Sequence, residues 1–294
     1  MPQECSGRHS QYFYNASAFG IAADIQRPVR QTVPAQAATA LHGGSGRGTL
    51  RVENFSAPPF IRFSAAYTEV GGSFDECHNL HATYASSVIE GLNIADVVLA
   101  DRVVSRMVSY SPELGNDGGE HSYDITGSHF ENLRIAGHKV DIQLSTHIFS
   151  QHDTYSKFEG AYQNGEAEHL LPWGRQDKKR LDLLESMEQK YHALTGIGAR
   201  AKKWAARKKP TGNGGPYWCS AAGHLSLEET IGESELQGFG GIILIPKFGI
   251  VRLAEVVLHR DYRRLTMVRV QMCSGSTGGA DGGHTGTGST SPSP

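Results

Sequence analysis

Alternation of apolar and polar residues, the two-residue period of a half-buried strand, occurs in several short stretches of the chain. The clearest case runs from Gly127 to Leu144, where Val140, Ile142 and Leu144 alternate with polar neighbours. Gly137 separates this run from a second apolar run, and glycine suits a turn position that needs a positive φ. The stretch therefore predicts a β-hairpin.

The longest apolar stretch, residues 82–110, is compatible with both a helical and a strand period. Its density of Val and Ile, together with the interruption at Gly91, favours two consecutive strands over 82–90 and 94–109. Further strands are predicted at 13–21, on both sides of Pro58-Pro59, at 242–245, and in a second hairpin, 250–258 with 265–272. Residues 34–48 are predicted to be a loop, and Gly71-Gly72 to end a strand.

Residues 160–237 have a different character. Leu181, Leu184, Met187 and Tyr191 recur at spacings of three and four residues among charged side chains. This spacing predicts an amphipathic helix over 175–194. A second, strongly basic helix is predicted over 199–209, before Pro210.

Beyond Cys273 the chain consists almost entirely of Gly, Ser, Thr and Pro, a composition that predicts disorder. The expected fold class is mainly β: an antiparallel β-sandwich, barrel or β-roll interrupted by an α-helical insert. The predicted parts are a β body over 1–159, a basic helical insert over 160–237, a final hairpin of the β body over 238–273, and a disordered tail over 274–294.

Composition adds few constraints. The formal net charge of −2 gives the whole chain no preference for nucleic acid or for an anionic membrane. Cys5, Cys77, Cys219 and Cys273 form no closely spaced pair; two disulfides are possible, but reduced thiols are favoured. The chain shows no Sec signal peptide and no apolar run of about 18 residues, so we expect a cytoplasmic protein or one exported by another route.

Four parts of the chain share short motifs with a known family: Ala16–Ile21, Gly91-Leu92 with Val98–Val103, Gly127–Gly137 and Ile245–Leu253. They resemble the bacterial choice-of-anchor P family of β-rich proteins. One of them looks like that family's hairpin motif G-S-T-x-F-x-N-L-x-V-N-G, and the four together lie in the β parts of the chain, roughly 12–150 and 240–273. The resemblance implies an exported β-scaffold with variable C-terminal anchors and no established catalysis.

Cys77, His78 and His81 form the best candidate metal site, because thiolate and imidazole are ligands that zinc prefers. Only the fold could bring in further ligands, since no second cluster has matching spacing. A polar loop is the favoured interpretation of this stretch. The chain also lacks the glycine-rich nucleotide-binding motifs and the nucleophile elbow, so no cofactor is predicted.

The basic insert is the local pattern most indicative of function. Between Arg175 and Lys209 eleven Lys and Arg residues stand against four Asp and Glu. Such a segment can bind phosphates, anionic lipid or RNA, although a solvated helix face has a similar composition. The predicted interaction surface consists of Arg200, Lys202, Lys203, Trp204, Arg207, Lys208 and Lys209.

These observations favour a non-enzymatic β-scaffold, which acts as a binding or self-assembling structural protein through the basic insert. Its expected partner is another protein or a second copy of itself, with an anionic surface as a further possibility and no specific nucleic acid. The first alternative is a membrane-acting, toxin-like protein. The second is a metal-dependent hydrolase that uses Cys77, His78 and His81.

Overall fold

A computed structural model describes residues 12–27, 30–113, 119–167, 170, 216–227, 237–239, 241–245, 248–272 and 277–290. The first strands are β1 (Phe13–Arg27), β2 (Gln31–Val33), β3 (Thr39–Gly43), β4 (Gly46–Ala57), β5 (Ile61–Asp75), β6 (Leu80–Ile94) and β7 (Val98–Pro112). Short elements follow: β8 (Ser122–Asp124), β9 (His129–Glu131), β10 (Arg134–Ile135), β11 (His138–Leu144), α1 (Thr146–Gln151) and α2 (Tyr155–Gln163). The last strands are β12 (Tyr217–Ser220), β13 (Ala222–Leu227), β14 (Gln237–Phe239), β15 (Ile242–Ile245), β16 (Gly249–Leu258), β17 (Tyr262–Met272) and β18 (Thr277–Thr290).

The strands form two antiparallel sheets that pack face to face. Sheet A has the order β14-β15-β16-β17-β18-β1-β2, with β12 beside β16 and β3 beside β1. Sheet B has the order β13-β11-β10-β7-β6-β5-β4, with β8 and β9 beside β7. The predicted antiparallel β fold is confirmed, and the packing of two sheets makes it a sandwich.

Both predicted hairpins are present. In the first, β10 and β11 are joined by Ala136 and Gly137, which have positive φ angles of 50° and 86°. Two consecutive positive φ angles are the geometry of a tight two-residue turn that matches the twist of its strands. In the second, β16 pairs with β17. The stretch 82–110 forms two strands, β6 and β7, as its Val and Ile content predicted, but the break lies at residues 95–97 and not at Gly91, which is inside β6.

The tail is the largest departure from expectation, because residues 277–290 are not disordered but form β18 in the middle of sheet A. β18 pairs with β1 on one side and with β17 on the other. Its Thr285 and Thr287 hydroxyls bond Ser105 (2.8 Å) and Ser109 (2.5 Å) of sheet B. Small residues allow this approach: a Cβ at Gly288 would lie 2.9 Å from the carbonyl oxygen of Asp261. Composition alone hides such a strand, because one of its two partners, β1, lies at the other end of the described chain.

A row of unpaired positions crosses sheet A. Each of the strands β16, β17, β18 and β1 has one residue that is skipped in the pairing, and the four skipped residues lie in one row. At this row each strand changes which of its alternate side chains face the interior. In β1 the buried positions accordingly change from Ala16 and Ala18 to Ile21 and Ala23. The skipped residues are Ala254, Met267, Gly283 and Gly20.

Sheet B has a matching row. In β6 this row brings Ile89 and Leu92, three residues apart, to the same buried face. That spacing resembles a helical period, which explains why the sequence of 82–110 was compatible with both helix and strand. The skipped residues are Asn54, Ser64, Gly91 and Asp101.

Three sequence boundaries need correction. Gly71 and Gly72 lie inside β5 and do not end it, because the ring of Tyr84 covers Gly71 on one face and that of Tyr14 covers Gly72 on the other. The predicted loop 34–48 contains β3 and the start of β4. β12 and β13 fall inside the expected insert 160–237 but belong to the two sheets, so the β body resumes at Tyr217.

The helix predicted over 175–194 and the basic segment 199–209 lie outside the described residues. Within the described ranges, neither helix is long and apolar enough to cross a membrane.

Deleting residues 274–294 should abolish the cooperative unfolding of the protein, because the deletion exposes the edges of both β1 and β17. Deletion of 291–294 is the control, since it leaves β18 whole. Circular dichroism and urea unfolding of the two shortened chains measure the effect. A cooperative transition of parental stability in the longer deletion would contradict the central position of β18.

Candidate functional site

One end of the sandwich interior contains a cluster of polar and charged side chains. His81 on β6 and Ser111 on β7 are directly opposite each other in sheet B, and Tyr14 reaches them from β1 of sheet A. Arg263 at the start of β17 is only 2% exposed. We call this cluster the polar end; it comprises Tyr12, Tyr14, His81, Ser111, His121 and Arg263.

Hydrogen bonds link the polar end across the two sheets. Tyr14 Oη lies 2.8 Å from His81 Nδ1. The Tyr12 hydroxyl donates to Ser111 Oγ at 2.7 Å, and His121 Nδ1 lies 2.5 Å from the same oxygen. The Tyr12 ring also stacks on that of His81, with ring centroids 3.9 Å apart. These bonds satisfy polar groups that would otherwise be costly to bury.

Ser111 and His121 have the arrangement of a nucleophile and its general base. Burial, and then the charge of Arg263, lower the pKa of His121, so the ring is neutral at neutral pH and can accept the Ser111 proton. However, Ser111 is 1% exposed, and its oxygen is also covered by the Tyr12 hydroxyl. A substrate cannot reach this oxygen, so the contact is a structural hydrogen bond.

Arg263 brings a buried positive charge into the polar end. Its Nη2 donates to the His121 carbonyl at 3.1 Å, and its Nε has no hydrogen-bond partner. Burial lowers the pKa of this guanidinium, while the charges of Tyr123 and Glu120 oppose the shift. An unpaired buried charge costs several kcal/mol. The packing around Arg263 must therefore offset the cost of burying its guanidinium.

The three predicted metal ligands are not brought together. Cys77 and His78 lie in the exposed turn between β5 and β6, where the Asp75 carboxylate binds the His78 ring at 2.8 Å. His81 follows on the inner face of β6 and points to Tyr14 instead. In the part of the chain that the structure covers, no three Cys, His, Asp or Glu side chains could hold a metal ion. The reason is that His81 belongs to β6 and faces the interior of the sandwich, whereas Cys77 and His78 remain in the turn before this strand.

The outer face of sheet A holds a second cluster, which sequence reasoning missed. Glu255 is 7% exposed, and its carboxylate lies 2.9 Å from Arg269, 3.5 Å from Arg264 and 3.9 Å from Arg252. The Arg264 guanidinium also lies over the Trp218 ring, 5.3 Å from its centroid. One carboxylate thus neutralises part of the charge of three arginines, and we call this group the arginine–glutamate cluster.

His284 borders the arginine–glutamate cluster from β18. Its ring stacks on that of Phe19, and its Nδ1 lies 3.2 Å from Thr266 Oγ1. Burial, followed by the charges of Arg264 and Arg269, lowers the pKa of His284 to about 4. The histidine is therefore neutral at neutral pH, and a proton on it would meet the arginines at close range.

The missed residues carried a weak signal. Arginines recur along 252–269 within apolar strands, but the skipped positions in β16 and β17 reverse their facing, so alternation alone put Arg264 and Arg269 on opposite faces. The predicted interaction surface from Arg200 to Lys209 lies outside the described residues. Of the four cysteines, Cys77 and Cys219 are free thiols in the described part, as the reduced state requires.

Two antiparallel sheets joined by hydrogen bonds at a polar end define the class of protein: a β-sandwich whose central strands come from both ends of the described chain. The chain belongs to a family described as a domain of unknown function, DUF8256, whose model matches residues 12–259. The match covers β1 to β16 and ends before β17. No curated protein and no solved structure matches the chain. The resemblance to the choice-of-anchor P family stays a prediction.

Glu255→Gln should lower the free energy of unfolding by about 2–4 kcal/mol, because it leaves three half-buried arginines without their shared carboxylate. Glu131→Gln is the control: Glu131 pairs with Arg102 on the surface at 3.5 Å and should contribute below about 1 kcal/mol. Urea unfolding of both variants measures the difference. Equal losses would show that the arginine–glutamate cluster does not hold sheet A.

His284 should make the protein less stable as the pH falls. Its folded pKa of about 4 lies below the unfolded value near 6.5, so the unfolded chain binds the proton first. Stability is complete above pH 6.5 and decreases between about 6.5 and 4, by up to about 3 kcal/mol. Urea unfolding across this pH range should show a smaller loss of stability for His284→Gln than for the parent protein. The exposed control His129→Gln should lose as much stability as the parent protein. A parental slope in His284→Gln would refute this role.

Proposed function

We propose that the protein is a non-enzymatic β-scaffold that acts as a binding or self-assembling structural protein. The observation that carries this proposal is the hydrogen bonding of the side chains that are best suited to catalysis. In the described part of the chain, His81 bonds Tyr14, and Ser111 bonds both His121 and Tyr12, inside the sandwich. Their chemistry is used to join the sheets, which leaves the protein surface for recognition.

The outer face of sheet B supports a binding role. Arg102 donates to the Tyr67 hydroxyl at 3.0 Å, and Arg51 lies over the same ring, 5.9 Å from its centroid. The Tyr84 hydroxyl donates to Glu69 at 2.7 Å. These contacts hold aromatic rings in place on an accessible face, and ordered Tyr and Arg side chains are enriched in protein interfaces.

The basic segment is the second part of the proposal. It lies between Leu170 and Pro216 in the chain, and its excess of cations favours an anionic partner. We propose that Arg200, Lys202, Lys203, Trp204, Arg207, Lys208 and Lys209 form an interaction surface for such a partner.

Neutralising Lys202, Lys203 and Arg207 together by Gln substitutions should weaken binding to vesicles that contain phosphatidylserine by about 100-fold at low salt, at about 1 kcal/mol per cation. The matched control neutralises three exposed arginines of the β body, Arg30, Arg106 and Arg134, with the same change in net charge. Vesicle co-sedimentation of the full-length proteins measures the affinity, and circular dichroism verifies the fold.

Equal binding by the parent and both triple variants would contradict the role of the basic segment. Release of a dye enclosed in the vesicles would instead favour the membrane-acting alternative, because a scaffold that only binds leaves the bilayer sealed.

A further inference from the structure

Strand β4 is a long edge of sheet B. It pairs with β5 along its length and has no strand on its other side in the ranges the structure describes. Leu50 at its centre is 46% exposed, and the side chains of Arg47, Arg51 and Glu53 are 57–66% exposed. An accessible edge of this length presents unpaired backbone groups that can pair with another strand.

The sequence of β4 is complementary to itself in one antiparallel register. A two-fold axis through Leu50 places Leu50 of one copy opposite Leu50 of the other. The same axis places Arg47 opposite Glu53 of the second copy, and by symmetry this pair occurs twice. Arg47 and Glu53 project from the same face of the sheet, since two-residue alternation separates them by an even number of positions. Opposite charges that face each other across a ladder stabilise it.

Neighbouring registers are less favourable. An axis through Arg51 would place Arg51 opposite itself, and an axis through Thr49 would place Arg47 opposite Arg51. Like charges directly opposite destabilise a ladder. An axis through Val52 would pair Arg51 with Glu53, but it would run the ladder across Asn54. Asn54 has a φ of 51° and is skipped in the pairing with β5, so the regular strand ends there.

We propose that β4 pairs with β4 of a second copy about Leu50, which joins the two sheets B into one continuous sheet. This inference rests on the proposed function, of which it specifies the self-assembling part. The occupant is a second copy because the charges of β4 match those of β4 itself. The contact area of one edge is small, so the dimer is concentration-dependent.

Analytical ultracentrifugation of the full-length protein over a concentration series tests the pairing. Arg47→Glu and Glu53→Arg should each weaken the dimer by about tenfold, because each places like charges opposite each other twice. The double variant Arg47→Glu with Glu53→Arg should restore parental affinity, since the pairs are complementary again. Mixing the two single variants should produce a heterodimer tighter than either homodimer.

Arg62→Glu is the matched control, because Arg62 is exposed on sheet B but lies outside β4. The monomer must keep its melting temperature in every variant.

A dimer that both single variants leave unchanged would overturn the pairing through β4, and so would a parent protein that stays monomeric at all soluble concentrations. A dimer weakened by Glu53→Arg but not by Arg47→Glu would overturn the Leu50 register in favour of the one about Val52. None of these results touches vesicle binding by the basic segment, so failure of the edge pairing is distinguishable from failure of the proposed function.

Discussion

Strand β18 lies between β1 and β17, so sheet A is completed only when the two ends of the described chain have met. Closing so long a loop adds little to the entropy cost of a shorter one, about 0.6 kcal/mol for each doubling of length. Once formed, β18 supplies the hydroxyls that bond Ser105 and Ser109 of the opposite sheet. It also places Asp281, 3.5 Å from Arg269, and His284 beside the arginine–glutamate cluster. The interior and the outer face of sheet A therefore depend on the same strand.

The two rows of skipped positions give the sandwich its organisation. On one side of the rows the interior contains large apolar residues such as Ile21 and Ile94, and on the other it becomes narrow and polar. The narrow part is held by hydroxyl pairs and by the polar end, where hydrogen bonds take the place of apolar volume. This arrangement gives the buried histidine, serine and tyrosine side chains of the polar end a role in joining the two sheets.

The proposed scaffold would interact through its surfaces. The polar end joins the two sheets from inside, whereas the outer face of sheet B and strand β4 lie at the surface, and together with the basic segment they are the proposed sites for partners. Strand β4 carries charges that oppose most pairings and accept one, which is how natural sheet edges combine protection with specificity.

Local sequence determined the strands and tight turns, because two-residue periods and a glycine at a positive φ act within a few residues; the hairpin at Gly137 and strands β6 and β7 are examples. It could not determine that the glycine-rich tail forms the strand between β1 and β17. Nothing in that stretch shows that the space between these two strands is too narrow for larger side chains. Nor could it show that His81 turns inward while Cys77 and His78 stay in a surface turn. The arginine–glutamate cluster could not be predicted either, because the skipped positions of neighbouring strands change the face to which each arginine points. The place of the tail and the inward direction of His81 depend on contacts with β1, which is distant in the chain, and His81 meets Tyr14 of β1 only when the two sheets have packed.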